Sequence, residues 1–461
     1  MDRPLPGQGL ITVGKILPAG MRYLSATLIV LVILLLVAGA LAIPFLFESP
    51  SIWYKFGIDK LFLRAGKMLG LVAGLLILLQ LPMAGRLKLL DRIFSLPGLM
   101  RQHRAHAWII AVMALMHPVG VLFSEGLALL PLEMRYWPEW LGVGLLILVL
   151  IQFVGSRWRG SLRMPFHVWM PLHRILGLSI AVLLVVHVRF VSETFNHAGL
   201  PRQALLVAAS LFSMVWLWVR SGWLRCRRRP WFVSRIEHTG GDCTRVDLEP
   251  ATPFRFSYAP GQFGMASFRS AHVSPESHPF TFSSTPSRPG NLQFTIRHCG
   301  DWTRDLKNLQ PGARVLIQGP FGRFGHLFAR PSRELILIAG GIGITPMLSM
   351  LRFMVDVGDP RPVTLIWSNR TRNQVVCADE VSGLSYRLTG LRYIPIFTQH
   401  TEGCGGTARL NRMSLGTMLA ACSRGAAIFV CGPPRMMKQT ETDLKSIGFP
   451  GRSIYTEPFG F

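Results

Sequence analysis

The sequence predicts a multi-domain protein: a six-helix transmembrane bundle, an antiparallel β-barrel domain and a parallel α/β domain. Three observations predict this architecture. Long apolar stretches are confined to the first half of the chain, and short alternating runs punctuated by Pro and Gly follow them. From Glu334 onward, continuous apolar runs typical of buried strands alternate with a glycine turn and helical stretches.

The chain of 461 residues has room for several domains. From the changes in composition we expect a cytoplasmic N-terminal segment at 1–23 and a transmembrane domain at 24–222. We expect the barrel at 230–330 and the α/β domain at 333–461.

Six apolar stretches are each close to the roughly 20 residues that cross a bilayer core. They lie near 24–46, 66–84, 106–124, 140–156, 171–190 and 203–220. The first has no small-residue cleavage site and is long enough to span, so we interpret it as a retained helix rather than a signal peptide.

The formal net charge of +25 is unevenly placed. Basic residues follow the second, fourth and sixth stretches, whereas the connection after the third is acidic. The positive-inside rule therefore predicts a cell (inner) membrane protein with both termini in the cytoplasm. This placement favours topology and contact with the lipid bilayer over nucleic-acid binding. The seven cysteines lie beyond the spans without a CxxC pair, which predicts a reducing compartment and neither disulfides nor a zinc site.

Four histidines form two pairs of identical spacing: His103 and His117 in the third stretch, His173 and His187 in the fifth. A separation of 14 residues falls about 40° short of four helical turns, so each pair shares a helix face. The two stretches run parallel, and neutral imidazole is an axial ligand of haem iron. The pattern predicts two haem b groups, with iron bound by His103 and His173 on the inner side and by His117 and His187 on the outer side.

Two other interpretations of these histidines remain. The four could be packing residues that hydrogen-bond within the bundle, although intramembrane ionisable residues are costly and are usually functional. His106 shares the face of His117, but the corresponding position before His187 is Leu176. We therefore interpret His106 as a packing or supporting residue.

In the second half, three short runs have the composition of buried parallel strands. A glycine-rich turn follows the first of these strands, and a helical stretch then extends to about Val357. Such a turn lets the backbone approach a pyrophosphate, although a tight packing turn explains it equally well. The strands are Leu335–Ala339, Val363–Trp367 and Ala427–Val430, the turn is Gly340–Pro346, and the third strand runs into Cys431–Pro434.

Several independent motifs carry a family resemblance. They are His103–Arg104, His173–Arg174, His278–Ser284, Gly300–Thr303, Gly319–Gly322, Gly340–Pro346 and Cys431–Pro433. With these motifs the C-terminal half resembles the ferredoxin–NADP reductase superfamily. Nearly the whole chain resembles the NADPH oxidase and ferric reductase family of transmembrane flavocytochromes, in which a haem-binding helical domain is fused to such a reductase.

The resemblance implies an FAD site in the barrel domain and an NAD(P) site in the α/β domain. The motif implied for FAD binding, in which an aromatic and a hydroxyl would meet the isoalloxazine, is His278, Pro279, Phe280, Thr281, Phe282, Ser283 and Ser284. The residues implied for the FAD pyrophosphate are Arg297, Trp302 and Thr303, and the terminal Phe461 would stack on the flavin. Those implied for the nicotinamide nucleotide are Gly340, Gly341, Gly343, Thr345, Pro346, Cys431, Gly432 and Pro433.

NADPH is favoured over NADH because Arg370 follows the second strand, where a 2′-phosphate would lie. No acidic residue in Ser368–Arg370 is present to bind a free ribose hydroxyl. Arg370 could also be an ordinary surface charge, so NADH is the alternative.

Together these features predict an NAD(P)H oxidase or ferric-chelate reductase that passes electrons from cytoplasmic NADPH through FAD and two haems to an outer acceptor. We expect the cofactors to do the chemistry, with no further catalytic side chain. The acceptor could be oxygen or chelated ferric iron. One alternative is a membrane electron-donor subunit that reduces a partner protein or quinone. Another is a haem-free transporter with a regulatory flavin domain.

Overall fold

The fold is that of a computed structural model, which describes residues 18–124, 133–197, 199–254, 256–271, 273–288, 290–399 and 409–457. The described residues fall into two compact units. A helical unit comprises Pro18–Gly222, and a C-terminal unit begins at Trp223.

Among the described residues up to Arg228, six helices are long and apolar enough to cross a membrane. The helices of the chain up to Arg228 are α1 Ala19–Leu46, α2 Pro50–Trp53, α3 Gly57–Ala84, α4 Lys88–Phe94, α5 Leu96–Ser124, α6 Trp137–Trp158, α7 Phe166–Val191, α8 Glu193–Asn196 and α9 Leu200–Arg228. Each predicted stretch is a helix, but each helix begins earlier than hydropathy predicted. A helix continues through the polar interface, whereas hydropathy reports the hydrocarbon core alone.

Helices α3 and α5 approach each other closely through small residues. A Cβ atom at Gly120 would lie 2.9 Å from the Cα of Gly66, and one at Gly66 would lie 3.0 Å from the nitrogen of Val121. Small residues at helix crossings allow such close packing in membranes. The buried core that joins α3, α5, α6 and α7 consists of Val72, Leu76, Ile110, Leu145, Val149, Ile180 and Leu184.

The C-terminal unit opens with a six-stranded antiparallel sheet in the order β4-β3-β6-β1-β2-β5. Its strands are β1 Trp231–Thr239, β2 Cys243–Pro250, β3 Phe263–Arg269, β4 His278–Thr281, β5 Leu292–Arg297 and β6 Arg314–Phe321. The antiparallel prediction is confirmed, but the barrel is not closed, because β4 and β5 are the two edges of this order. Strand β4 is short and contains Pro279, which cannot donate to a ladder. Just beyond β4, the amide of Ser283 donates to the carbonyl of Gln293 at 2.9 Å.

A five-stranded parallel sheet follows, in the order β11-β10-β7-β8-β9. Its strands are β7 Leu335–Gly340, β8 Val363–Asn369, β9 Leu391–Phe397, β10 Ala427–Cys431 and β11 Ile454–Thr456. The helices of the C-terminal unit beyond α9 are α10 Asp301–Asp305, α11 Ile344–Val357, α12 Ala378–Arg387, α13 Arg412–Met418 and α14 Pro434–Ser446. Every residue of β7 is buried, as its continuous apolar run predicts. Gly340 pairs with Ser368, and Ala339 pairs with Cys431, so the carboxyl ends of β7, β8 and β10 share one edge.

Candidate functional site

The two outer histidines are each hydrogen-bonded through Nδ1 to a main-chain carbonyl of a neighbouring helix. The Nδ1–H of His117 donates to Gly66 at 2.7 Å, and that of His187 donates to Pro138 at 2.9 Å. Because a carbonyl only accepts, the proton of the neutral ring must be on Nδ1. The lone pair of Nε2 is therefore the one available to a metal.

Glycines make room for both outer rings. A Cβ atom at Gly70 would lie 2.7 Å from Nδ1 of His117, and one at Gly142 would lie 2.5 Å from Cε1 of His187. Each distance is shorter than any van der Waals contact, so a larger residue would displace the ring. The bundle thus has a shaped recess for each imidazole.

The inner histidines face each other across α5 and α7. The ring centroids of His103 and His173 are 6.2 Å apart. A metal–imidazole bond is about 2 Å, so this separation leaves room for one ion between the rings. The hydroxyl of Ser156 lies 3.2 Å from Nδ1 of His173, and Gln152 donates to the carbonyl of His173 at 3.0 Å.

At the inner level, two imidazoles that face each other fit the axial ligation of haem. At the outer level, the fit rests on the Nδ1 hydrogen bonds of His117 and His187, which leave both Nε2 atoms available. Among the described residues no group of three or more His, Cys, Asp or Glu could hold a metal. An axial pair, however, needs only two ligands. At the inner level the ring opposite His173 is that of His103 rather than that of His106.

Sequence reasoning missed the residues that support the histidines. Gln152 and Ser156 are polar residues four positions apart on the mostly apolar α6, a spacing that places them on one face. Gly66, Gly70 and Gly74 recur at the same interval on α3, a pattern typical of close helix packing in membranes. Both signals are visible in the sequence.

In the C-terminal unit, three residues implied for FAD lie together. The ring centroids of His278 and Trp302 are 4.1 Å apart, and those of Phe280 and Trp302 are 6.0 Å apart and nearly parallel. His278 also lies 2.9 Å from the carboxylate of Glu276. The indole N–H of Trp302 donates to the carbonyl of Ser274 at 2.8 Å, which fixes the ring.

Two other residues of the same motif belong to the core of the sheet. Phe282 is fully buried, with ring centroids 4.7 Å from Tyr258 and 5.6 Å from Phe294. Ser283 is also fully buried, and its hydroxyl donates to the carbonyl of Gln293 at 3.1 Å. Their positions support packing rather than flavin contact, because the motif extends past the end of β4 into the interior.

The residues implied for the FAD pyrophosphate divide between two places. The hydroxyl of Thr303 accepts from the amides of Cys299 and Gly300, at 3.0 and 2.9 Å, and so caps the short helix α10. Arg297, at the end of β5, lies beside the glycine turn, where a Cβ atom at Gly341 would be 3.2 Å from its Nη1. Its guanidinium is therefore close to the nucleotide residues.

The glycine turn packs directly against the end of β10. A Cβ atom at Gly343 would lie 2.2 Å from the carbonyl oxygen of Cys431, and one at Gly432 would lie 3.1 Å from Cα of Gly340. Gly341 has φ +52°, which favours glycine. The residues brought together at this edge are Gly340, Gly341, Gly343, Cys431, Gly432 and Pro433.

Three further predicted residues have distinct positions. Thr345 is buried at the start of α11 beside Pro346, and its hydroxyl donates to the carbonyl of Ile342 at 3.1 Å. Arg370 is exposed immediately after β8, at the edge shared with the glycine turn. Burial raises the pKa of the Cys431 thiol well above its ordinary value, so this cysteine is a neutral packing residue. Phe461 lies outside the described residues.

Arg352, on α11, links the two sheets of the C-terminal unit. It donates from Nε and Nη2 to the two carboxylate oxygens of Glu380, at 2.6 and 2.7 Å. Its Nη1 donates to the carbonyl of Ser283 at 2.5 Å and to the side-chain oxygen of Gln293 at 2.7 Å. Helix α11, which follows the glycine turn, is thus hydrogen-bonded to Ser283 near the end of the motif implied for FAD.

Comparison with known families supports the domain order. Residues 69–186 match the family described as ferric reductase-like transmembrane component. Residues 232–324 match an FAD-binding domain, and residues 337–442 match an oxidoreductase NAD-binding domain.

The chain is also similar to reductase components of multi-component enzymes. It is 26% identical over 49% of its length to the propane 2-monooxygenase reductase component of Rhodococcus jostii, covering 62% of that protein. It is 28% identical over 45% of its length to the glycine betaine monooxygenase reductase subunit of Chromohalobacter salexigens, covering 58% of that protein. The chain thus spans less than two thirds of these relatives.

Among solved structures, the cytochrome P450 reductase GcoB of Amycolatopsis is similar over 50% of this chain and 69% of its own, with 20% identity and a TM-score of 0.44. The family matches cover all three regions that the fold separates: the helical unit, the antiparallel sheet and the parallel sheet. The chain therefore belongs to the proteins that join a ferric reductase-like transmembrane component to FAD-binding and NAD-binding domains of the ferredoxin–NADP reductase type.

Proposed function

We propose that this protein is a transmembrane electron-transfer oxidoreductase. Electrons enter from NADPH at the cytoplasmic face and leave to an acceptor at the outer face, with FAD and two haem b groups as carriers. The observation that carries the proposal is the pair of histidines at each of two levels. Three of these four rings have Nδ1 within hydrogen-bond distance of a protein oxygen atom.

At both levels, the histidines would support one-electron transfer without a conformational change. FAD converts a hydride into single electrons, and a haem with two histidine ligands accepts one electron and has no open position on the iron. His117 and His187 are held by hydrogen bonds to the main chain, so their rings keep a fixed orientation. Rigid ligands of this kind reduce the reorganisation that electron transfer requires.

At the nucleotide end, the backbone and three arginines have separate roles. The main chain of the glycine turn would bind a pyrophosphate at the carboxyl edge of the parallel sheet. Arg370, exposed at that edge, supplies a positive charge for a 2′-phosphate. Arg297 lies beside Gly341 and adds charge near the pyrophosphate. Arg352 bonds Glu380 and the carbonyl of Ser283, and would so hold the helix after the glycine turn beside the motif implied for FAD.

At the outer level, His117 and His187 would hold a haem and would leave its iron without an open site. An acceptor would then be reduced without binding to the iron. Oxygen and chelated ferric iron both fit this outer-sphere chemistry.

Proteoliposomes test direction and acceptor together. The full-length protein is reconstituted with a membrane-impermeant ferric chelate trapped inside, and NADPH is added outside under anaerobic conditions. Molecules whose C-terminal unit faces outward should reduce the trapped chelate, and His117→Ala should abolish this reduction. Reduction confined to chelate added outside, with the trapped chelate untouched, would contradict transmembrane transfer.

The second candidate is an electron donor to a partner protein. It is favoured by the similarity to reductase components of monooxygenases. The two functions differ in their response to small acceptors. A donor subunit should form reduced haem with NADPH yet reduce oxygen and ferric chelates only slowly.

A further inference from the structure

Three arginines from distant parts of the chain meet where α9 joins the antiparallel sheet. Arg227 lies in the last turn of α9, Arg269 ends β3 and Arg314 begins β6. Arg269 and Arg314 are direct cross-strand partners. The guanidinium of Arg314 donates to the main-chain carbonyl of Arg227 at 2.7 Å.

This grouping places like charges together. Like charges directly opposite each other on neighbouring strands are destabilising. Partial burial, and then the charges of Arg227 and Arg314, lower the pKa of Arg269 below its ordinary value. In the described part of the chain no carboxylate forms an ion pair with any of the three. Glu249 lies in the same row of the sheet as Arg314 but is separated from it by Phe232.

The neighbouring contacts hold the guanidinium groups without neutralising them. The guanidinium of Arg227 lies 4.6 Å from the ring centroid of Trp223, and that of Arg229 lies 5.7 Å from that of Phe254. Cation–π contacts of this kind orient a guanidinium and leave its donors available. All of these arginines are exposed.

Membrane topology alone does not account for the cluster. The positive-inside rule and the helix dipole favour basic residues such as Arg227 at the end of α9. Neither requires arginines in β3 and β6, which belong to a folded sheet far along the sequence. Because three positive charges meet at the last turn of a membrane-spanning helix, a bound anion at that position would reduce their mutual repulsion.

We propose that Arg227, Arg269 and Arg314 form a binding site for the phosphate of an anionic lipid headgroup. The cluster is continuous with α9, so it lies where the headgroups of the cytoplasmic leaflet would be. Guanidinium groups bind phosphate oxygens through paired N–H donors. A headgroup at this site would offset the repulsion among the arginines and fasten the antiparallel sheet to the end of α9.

The test uses the full-length protein in a neutral detergent. Short-chain phosphatidylglycerol, short-chain phosphatidylcholine and inorganic phosphate are titrated separately, and the tightest binding phase is followed by microscale thermophoresis. The variant is Arg269→Gln with Arg314→Gln. A charge-retaining variant, Arg269→Lys with Arg314→Lys, reports on folding. The matched control is Arg409→Gln with Arg412→Gln, which removes two exposed arginines of the parallel-sheet domain.

Phosphatidylglycerol should bind more tightly than either of the other two probes. The double glutamine variant should bind it about 30-fold more weakly, because each basic side chain near an anionic surface contributes about a factor of five. The lysine variant and the control should retain tight binding. Inorganic phosphate binding as tightly as the lipid would overturn the lipid assignment in favour of a free anion. Unchanged lipid binding in the glutamine variant would overturn the site itself.

Discussion

The Nδ1–H of His117, on α5, donates a 2.7 Å hydrogen bond to the carbonyl oxygen of Gly66, on α3. His187, on α7, makes the corresponding bond to Pro138, on α6. His117 is therefore oriented by α3 and His187 by α6, and neither of these helices carries an outer histidine. This arrangement fixes the tautomer that leaves Nε2 without a proton. Four helices thus position the two histidines.

The recess at Gly142 provides the first prediction. Gly142→Ala should displace the His187 ring, because the new Cβ atom would lie 2.5 Å from Cε1. The purified variant should then lose about half of its b-type haem absorbance, since one of two ligand pairs is disrupted. Gly144→Ala, on the same helix, is the control, because its Cβ atom would have nothing within 4 Å. Equal haem content in both variants would contradict the role of the recess.

The second prediction concerns the ion pair between Arg352 and Glu380. The side chains are partly buried, and both carboxylate oxygens are engaged. Arg352→Gln and Glu380→Gln should each lower the free energy of unfolding of the C-terminal unit. A double-mutant cycle should give a coupling of about 1–3 kcal/mol. Stopped-flow reduction of FAD by NADPH should slow in Arg352→Gln, because the link between the sheets is lost. Asp379→Asn, at the adjacent exposed position, should leave both quantities unchanged.

His326 provides a pH-dependent prediction. It is buried with its ring centroid 5.8 Å from that of Phe353, and neither ring nitrogen hydrogen-bonds to the protein. Burial lowers its pKa from 6.5 to about 3; Arg361 adds to the shift and Asp359 opposes it. The unfolded chain therefore binds a proton that the folded chain does not, between these two values. Stability should fall as the pH drops below 6.5, by up to about 1.4 kcal/mol per pH unit.

His326→Phe should remove this pH dependence. It also removes two buried polar atoms, so the free energy of unfolding at neutral pH should rise by about 1–2 kcal/mol. Thermal unfolding of the wild type and the variant measures both effects. The measurement runs from about pH 5 to about pH 7.5, the range in which histidine titrates. Parallel curves for the two proteins would show that His326 does not titrate on unfolding.

Arg370 provides the test of nucleotide preference. Arg370→Gln should raise KM for NADPH about 10-fold or more, the value of one charge-assisted hydrogen bond to phosphate. KM for NADH should stay the same, because NADH has no 2′-phosphate. Arg387→Gln, another exposed arginine of the same domain, is the control. An equal rise for both nucleotides would place Arg370 elsewhere in the site.

The features that the sequence predicts well are those set by local composition. The six membrane helices follow from runs of about 20 apolar residues, and β7 follows from a short apolar run ending in glycine. The beginnings of the helices were missed: α5 begins at Leu96 because helices extend into the interface. The antiparallel sheet is open because β4 and β5 are its two edge strands, which local composition does not show.

The features that could not be predicted depend on tertiary contacts. Arg352 and Glu380 are 28 positions apart and occupy different helices, and neither carries a distinctive local pattern. Phe282 belongs to the flavin motif by sequence, yet it follows the end of β4 and its side chain is buried in the core of the antiparallel sheet. Likewise, nothing local shows that Arg269 and Arg314 meet Arg227. Only the strand register and the end of α9 bring them together.

The central claim is that the four histidines hold two haems. The most direct test is an anaerobic visible spectrum of the purified full-length protein, recorded before and after NADPH. We expect b-type α and Soret bands to appear on reduction. These bands should fall to about half in His117→Ala and in His187→Ala, since each removes one ligand of the same haem. His197→Ala, outside the spans, should match the wild type. Folded protein with bound FAD and no haem bands would contradict the account.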